Sequence, residues 1–121
     1  MSGACMLSRR EVFEDLDGFD EALAVEFGDI DYCLRLRDAG YRVVYTPHAE
    51  LVHHESHTKG TSVSYHDSRT FLDKWMSDIR RGDPFYNENL SRLESNCAIR
   101  PVEEDRRWEK LLSRLTSSSN G

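Results

Sequence analysis

Two carboxylates spaced two residues apart, Asp29 and Asp31 in "EFGDIDYCLRLRDAGYRV", and five histidines at positions 48, 53, 54, 57 and 66 are the side chains whose types and spacing could do chemistry. A carboxylate held within hydrogen-bond reach of a hydroxyl can take its proton. Oxygen ligands of the D-x-D type can also hold Mg²⁺ or Mn²⁺. That string occurs twice, as Asp15-Leu16-Asp17 and Asp29-Ile30-Asp31, and neither copy directly follows an expected strand. A plainer reading of the second copy is a helix cap, because a first turn has unpaired N–H groups and a positive dipole end.

The histidines first suggest zinc. No cysteine joins them, however, and there is no H-E-x-x-H and no H-x-x-x-H pair on a helix, so surface loop histidines explain them as well. Cys5, Cys33 and Cys97 are odd in number, far apart and without a C-x-x-C pair. They read as reduced, ordinary cysteines. G-x-x-x-x-G-K-[ST], G-x-G-x-x-G and G-x-S-x-G are all absent, which removes the usual support for phosphate-loop, dinucleotide and hydrolase-elbow readings.

The elements that must position these groups follow from periodicity. "GACMLS" suits a buried strand, and "RREVFEDL" a short helix with Val12, Phe13 and Leu16 inward. "DGFDEALAVEFGD" reads as a loop anchored by Phe19 and Phe27. In the next helix Ile30, Cys33 and Leu34 recur at i, i+3, i+4, Asp31 can pair with Arg35 at i+4, and Gly40 marks the stop. "YRVVYTP" and "AELVHHE" read as strands. Leu72, Trp75, Met76 and Ile79 form a helical packing stripe, with Ser64 and Asp67 in a capping-box arrangement and Gly82 as its stop. Trp108, Leu111, Leu112 and Leu115 define a last amphipathic helix before the polar tail "TSSSNG". The order β-α-loop-α-β-β-α-loop-α is an α/β pattern with too few strands for a complete doubly wound sheet.

With 121 residues, 31% of them charged and 38% hydrophobic, the composition is that of one globular domain or part of one. There is no apolar run long enough to cross a membrane, and without a basic-then-apolar leader secretion is not supported; the reduced cysteines lead to the expectation of a cytoplasmic place, the inner membrane surface included. Residues 1–60 carry 6 Lys and Arg against 12 Asp and Glu, whereas residues 61–121 carry 10 against 10. The acidic excess thus lies in the half with the D-x-D strings, which disfavours nucleic acid and suits a cation or a hydroxyl-rich ligand, and a merely solvated acidic surface explains it as well.

Taken in order, "GACMLSRREVFEDLDGFDEALAVEFGDIDYCLRLRDAGYRVVYTPHAELVHH" resembles the acceptor-side half of family 2 glycosyltransferases. The match covers residues 3–54, and "FLDKW" with "DPFYNENLS" resembles the rhamnosyltransferase-like branch to about residue 91. The resemblance implies an α/β, partial GT-A-like fold that lacks the N-terminal nucleotide-binding half and ends in helices. It divides the chain into 1–91, the C-terminal part of a catalytic domain, and 92–121, an extension. It also implies that Asp29 is the base of an inverting transfer from a nucleotide-sugar donor to a glycan or lipid-linked acceptor. Gly3, Ala4, Gly18 and Phe19 match the lining of the acceptor pocket, and Asp31 and Arg35, supporting residues at the helix mouth, are expected to be acceptor-binding with them. His53 matches a histidine that approaches the diphosphate and its Mn²⁺ or Mg²⁺. Gly28 stands where the family usually has glutamate, and Asp17 stands where it has the first glycine of G-G-F-D-E. A missing N-terminal half or a second copy of the chain is the expected protein partner. A carbohydrate-binding or interaction remnant of such an enzyme, without catalysis, is the alternative.

Overall fold

The computed structural model describes residues 3–52, 64–94 and 96–117, with the side chains of Ala4 and residues 115–117 left aside. A 3₁₀ turn, Gly3–Cys5, precedes four helices: α1 Arg10–Asp15, α2 Gly28–Asp38, α3 Tyr65–Arg81 and α4 Glu104–Ser117. The fold divides into two compact units, Met1–Ser77 and Asp78–Gly121.

The first unit is organised around aromatic side chains. Phe13 of α1, Phe19 of the following loop and Tyr32 of α2 meet edge to face, with ring centroids 5.3 to 5.6 Å apart. Tyr32 is fully buried, and its hydroxyl lies 2.6 Å from that of Ser8. Such pairs contribute about 0.5–1.5 kcal/mol each beyond the area they bury. Phe27 stacks on Phe71 of α3 at 4.9 Å, so both expected loop anchors make aromatic contacts.

α2 ends as its sequence predicts. Gly40 is left-handed at φ +83°, its N–H bonds to the Arg37 carbonyl, and the Tyr41 N–H reaches back to that of Leu36. This is a Schellman ending, for which glycine supplies the positive φ without a Cβ penalty. In α3 the buried positions are Asp67, Phe71 and Trp75, one helical turn apart, while the expected stripe residues Leu72, Met76 and Ile79 are half-buried beside them.

The expected strands are a correction. Residues 3–5 form the 3₁₀ turn, residues 6–9 and 41–46 are irregular, and residues 49–52 are irregular and exposed; residues 53–55, the rest of "AELVHHE", lie outside the described residues. Among the described residues the only β pairing is a single antiparallel bridge, Leu90 to Ile99. A strand persists when a neighbour takes its N–H and C=O groups, and none of the described residues offers "YRVVYTP" such an edge. Val44 and Tyr45, which an α/β sheet would bury, are exposed.

The second unit turns on Glu104, which is buried at the start of α4. Its carboxylate accepts the Ser91 hydroxyl and the Arg92 N–H, the latter at 2.7 Å. Ser91 in turn accepts the N–H groups of Leu93 and Glu94, both at 3.1 Å. Burial opposes charge on Glu104, but the bonds from Ser91 and Arg92 prevail and hold its carboxyl below the ordinary value.

Candidate functional site

The mouth of α2 is built by a backbone that does not favour its own geometry. Phe27, the residue before α2, is left-handed at φ +65° and has no side-chain cap. A bulky residue there costs on the order of 1–3 kcal/mol and persists only when its surroundings enforce it. Stacking on Phe71 is one such constraint. Asp67 is another: one carboxylate oxygen accepts the N–H groups of Val25 and Glu26, both at 2.8 Å. The expected capping box is therefore half realised. Ser64 accepts the Asp67 N–H at 3.3 Å, while the Asp67 carboxylate takes the Ser64 hydroxyl and clamps the loop that leads into α2. Those loop N–H bonds hold the Asp67 carboxyl below the ordinary range.

Asp29 sits in the first turn of α2, half-buried. One oxygen accepts the Gly3 N–H at 2.6 Å and the other the Ile30 N–H at 2.9 Å. A Cβ on Gly3 would lie 2.9 Å from the Asp29 Cβ and 3.0 Å from its Oδ2, so this approach requires glycine. The two residues 26 apart that the resemblance singled out as base and pocket lining are thus direct partners. A carboxylate has about four lone-pair sites, and two N–H donors leave the others for a ligand.

Asp31 lies two residues further on and is a different kind of group, at 0% exposure. Arg35 donates to it from Nε at 2.7 Å, as the i, i+4 spacing predicts. Trp75 donates from Nε1 at 2.9 Å, and the Lys74 ammonium lies at 2.8 Å. Burial works against its charge, but the bonds from Lys74, Trp75 and Arg35 outweigh it and keep its pKa below the ordinary carboxylate value. Burial likewise disfavours the Lys74 cation, and its bonds to Asp20 and Asp31 raise its pKa nonetheless. Lys74 spans to Asp20 at 2.8 Å, and that bond leads in lowering the Asp20 pKa.

Arg35 completes the frame by donating from Nη1 to the Leu16 carbonyl and from Nη2 to the Gly18 carbonyl, the latter at 2.6 Å. It therefore holds the Asp17-Gly18 turn, in which both residues are left-handed, at φ +57° and +68°. A Cβ on Gly18 would meet the Phe13 ring at 3.1 Å.

Between the Gly3 turn, α1 and the Phe19 loop lies an open cleft of about 680 Å³, lined by Gly3, Ser8, Arg10, Phe13, Phe19 and Tyr32 among others. Phe19 is 51% exposed, so its ring is available as a floor. Of the expected site residues, Gly3 and Phe19 line this opening; Asp29 and Gly18 do not line it, Asp29 adjoining it through its bond to Gly3 and Gly18 through its neighbour Phe19, while Asp31, fully buried, and Arg35 form a frame rather than a lining. Ala4 belongs to the same turn as Gly3. His53 lies outside the described residues. Among the described residues no three His, Cys, Asp or Glu side chains come together to hold a metal ion.

Sequence reasoning did not single out Asp20, Lys74 and Trp75 as parts of the frame. Lys74 and Trp75 are 43 and 44 positions from Asp31, and the one signal they carry is their place in "FLDKW", where Trp75 reads as packing and its N–H is left over.

Residues 1–71 match the model for the Glycosyltransferase like family 2, and the chain belongs to that family. It is similar to an O-antigen biosynthesis protein, RfbC, of Myxococcus xanthus, 38% identical over 87% of this chain and 8% of that protein. The rhamnosyltransferase WbbL of Escherichia coli K12 is 36% identical over 78% of this chain and 35% of its own length. An N-acetylglucosaminyl-diphospho-decaprenol L-rhamnosyltransferase of Mycobacterium tuberculosis is 41% identical over 54% of this chain and 22% of its own. The chain therefore spans about a third or less of each of these relatives. No solved structure matches it.

Proposed function

We propose that this chain is the acceptor-binding and catalytic-base portion of an inverting glycosyltransferase that moves a sugar, of the hexosyl or rhamnosyl type, from a nucleotide-activated donor to a hydroxyl of a glycan or lipid-linked acceptor in cell-surface polysaccharide synthesis. The observation that carries the proposal is the Asp29 carboxylate, oriented by the Gly3 N–H at 2.6 Å beside an open, aromatic-lined cleft. In this reading an acceptor sugar lies against the exposed Phe19 ring, and its hydroxyl proton passes to Asp29. As the proton leaves, the oxygen attacks the anomeric carbon from the face opposite the departing nucleotide diphosphate, which inverts that centre. Asp31, Arg35, Lys74 and Trp75 position the base and the Gly18-Phe19 loop, touching neither substrate.

Residues 1–91 are assigned to the catalytic domain and 92–121 to its extension. A cytoplasmic place at the inner membrane surface goes with a lipid-linked acceptor; no helix among the described residues is long and apolar enough to cross a membrane. Mn²⁺ or Mg²⁺ enters the proposal by resemblance alone, through His53, and the described residues do not form a cation site by themselves. The proton transfer at Asp29 is independent of which residues hold a metal.

Gly28, at the position of the family's glutamate, favours a second reading in which the chain binds a glycan without catalysis. The test supplies the chain with the donor-binding region of a family 2 relative, fused or in trans, and follows sugar-nucleotide consumption. The proposal expects acceptor-dependent turnover. Glycan binding with no turnover in any such pairing would overturn it in favour of the second reading.

A further inference from the structure

We infer that α4 carries a docking surface for an anionic lipid surface, independent of any transfer chemistry. At 3.6 residues per turn, Trp108, Leu111 and Leu112 fall on one arc of α4, about 100° wide. Arg107, Lys110 and Arg106 follow on the next arc, beginning beside Leu111, while Asp105 and Glu109 lie on the far side of the apolar arc, next to Leu112.

The charges on these two flanks are not equally available. Glu104 lies on the apolar arc itself, between Leu111 and Trp108, where it is buried and engaged by Ser91 and Arg92, so the first turn of that arc packs against its own unit; on the acidic flank Asp105 pairs with Arg100 at 3.6 Å. Arg106, Arg107 and Lys110 are exposed, and no carboxylate pairs with them among the described residues. Glu103 and Glu109 are the remaining acids nearby, so the basic flank presents a surplus of positive charge at the edge of the apolar arc.

On the apolar arc Trp108 and Leu112 are half-buried, and the accessible edge is the one next to the basic flank. Leu111 is 40% exposed, and Ile99 and Val102, in the segment that leads into the helix, are 83% and 94% exposed. An apolar arc bordered by unpaired arginine and lysine matches the two layers of a membrane interface: acyl chains under the leucines and tryptophan, anionic headgroups beside the cations. A protein partner would need complementary carboxylates in a fixed register, whereas a lipid surface supplies them at any register. The helix is expected to lie in the plane of the interface, rolled toward its basic flank.

The test is co-sedimentation of the full chain with phosphatidylcholine vesicles with and without phosphatidylglycerol, over a salt series. Binding to the anionic vesicles only, weakened by salt, is expected. Each cation near an anionic surface strengthens partition about fivefold, so Arg106→Ser, Arg107→Ser and Lys110→Ser together should weaken it roughly a hundredfold. Brominated lipid should quench the emission of Trp108, and Trp108→Phe should remove that quenching. Absence of binding to anionic vesicles at low salt would overturn the inference, as would equal binding to both compositions. Self-association by light scattering, abolished by Leu111→Ser and without vesicle binding, would assign the face to a second copy instead. All these variants alter exposed or half-buried side chains, and unchanged circular dichroism separates lost binding from lost folding.

Discussion

Replacing Asp31 by asparagine keeps the shape of the side chain and removes the charge on which α2, α3 and the Gly18 loop converge. Asp31 accepts from Trp75, Arg35 and Lys74 at 2.9, 2.7 and 2.8 Å. Asparagine can retain the Trp75 bond through its carbonyl oxygen, but its amide then faces Arg35 donor to donor. Hydrogen bonds to charged groups contribute about 1.5–3 kcal/mol each. The Arg35 bond, made to the other oxygen, is lost; Lys74 shares its oxygen with Trp75 and keeps a bond to the neutral amide carbonyl, weakened by loss of the charge, and part of the total loss is recovered. Arg35 keeps its bonds to Leu16 and Gly18, Lys74 keeps Asp20, and their side chains are 19% and 35% exposed, so both can rehydrate. A net loss of about 2–3 kcal/mol is expected, which for a domain of this size lowers Tm by roughly 10–20 °C. The assay is thermal and urea unfolding of wild type, Asp31→Asn, Lys74→Met and the double variant. The two single losses should fail to add, with a coupling of about 1 kcal/mol.

The pH dependence gives a second reading of the same variant. The folded pKa of Asp31 lies below its unfolded value of about 3.9, so its contribution is complete above that value and is lost as pH falls through the folded pKa. The gap between wild type and Asp31→Asn should be constant from about pH 5 upward and close in acid. A Tm change under about 3 °C, strict additivity, or a gap that widens in acid would refute the frame described above.

Other substitutions probe the cleft and the turns around it. Gly3→Ala drives a Cβ to 2.9 Å from that of Asp29 and should lower kcat of the donor-supplied enzyme about a hundredfold with little change in Tm, measured by initial rates and circular dichroism. Gly18→Ala combines a positive φ with a 3.1 Å approach to Phe13 and should cost about 2 kcal/mol in urea unfolding, whereas Asp17→Gly, at φ +57°, should leave stability equal or slightly higher. Gly28→Glu has room, its nearest neighbour being the Leu23 carbonyl at 3.7 Å, and should stabilise α2 by about 1 kcal/mol through helix propensity and the first-turn dipole. The same change should raise turnover if the family's glutamate assists the acceptor.

Local signals were legible and distant ones were not. The arrest of α2 at Gly40, the Asp31–Arg35 pair and the start of α3 at Ser64 each depend on residues within a turn or two, and periodicity reaches that far. Asp67 could be seen as a cap but not as a clamp on Val25 and Glu26, because those partners are 42 and 41 positions away. Lys74 and Trp75 were hidden for the same reason. The strands failed differently: "YRVVYTP" has the composition of a strand, but composition does not provide the neighbouring edge that makes one. The candidate site was legible only through the ordered resemblance. Spacing alone left Asp29 as a cap, and its bond to Gly3 joins residues 26 apart.

The most direct test of the central claim is the transfer rate of the donor-supplied enzyme with Asp29 against Asp29→Asn, under conditions that separate kcat from the acceptor KM. If Asp29 is the base, kcat should fall by about 10²–10⁴ while the acceptor KM and the circular dichroism spectrum stay close to wild type. An unchanged kcat in a folded Asp29→Asn enzyme would contradict the assignment and leave the α2 mouth a structural cap.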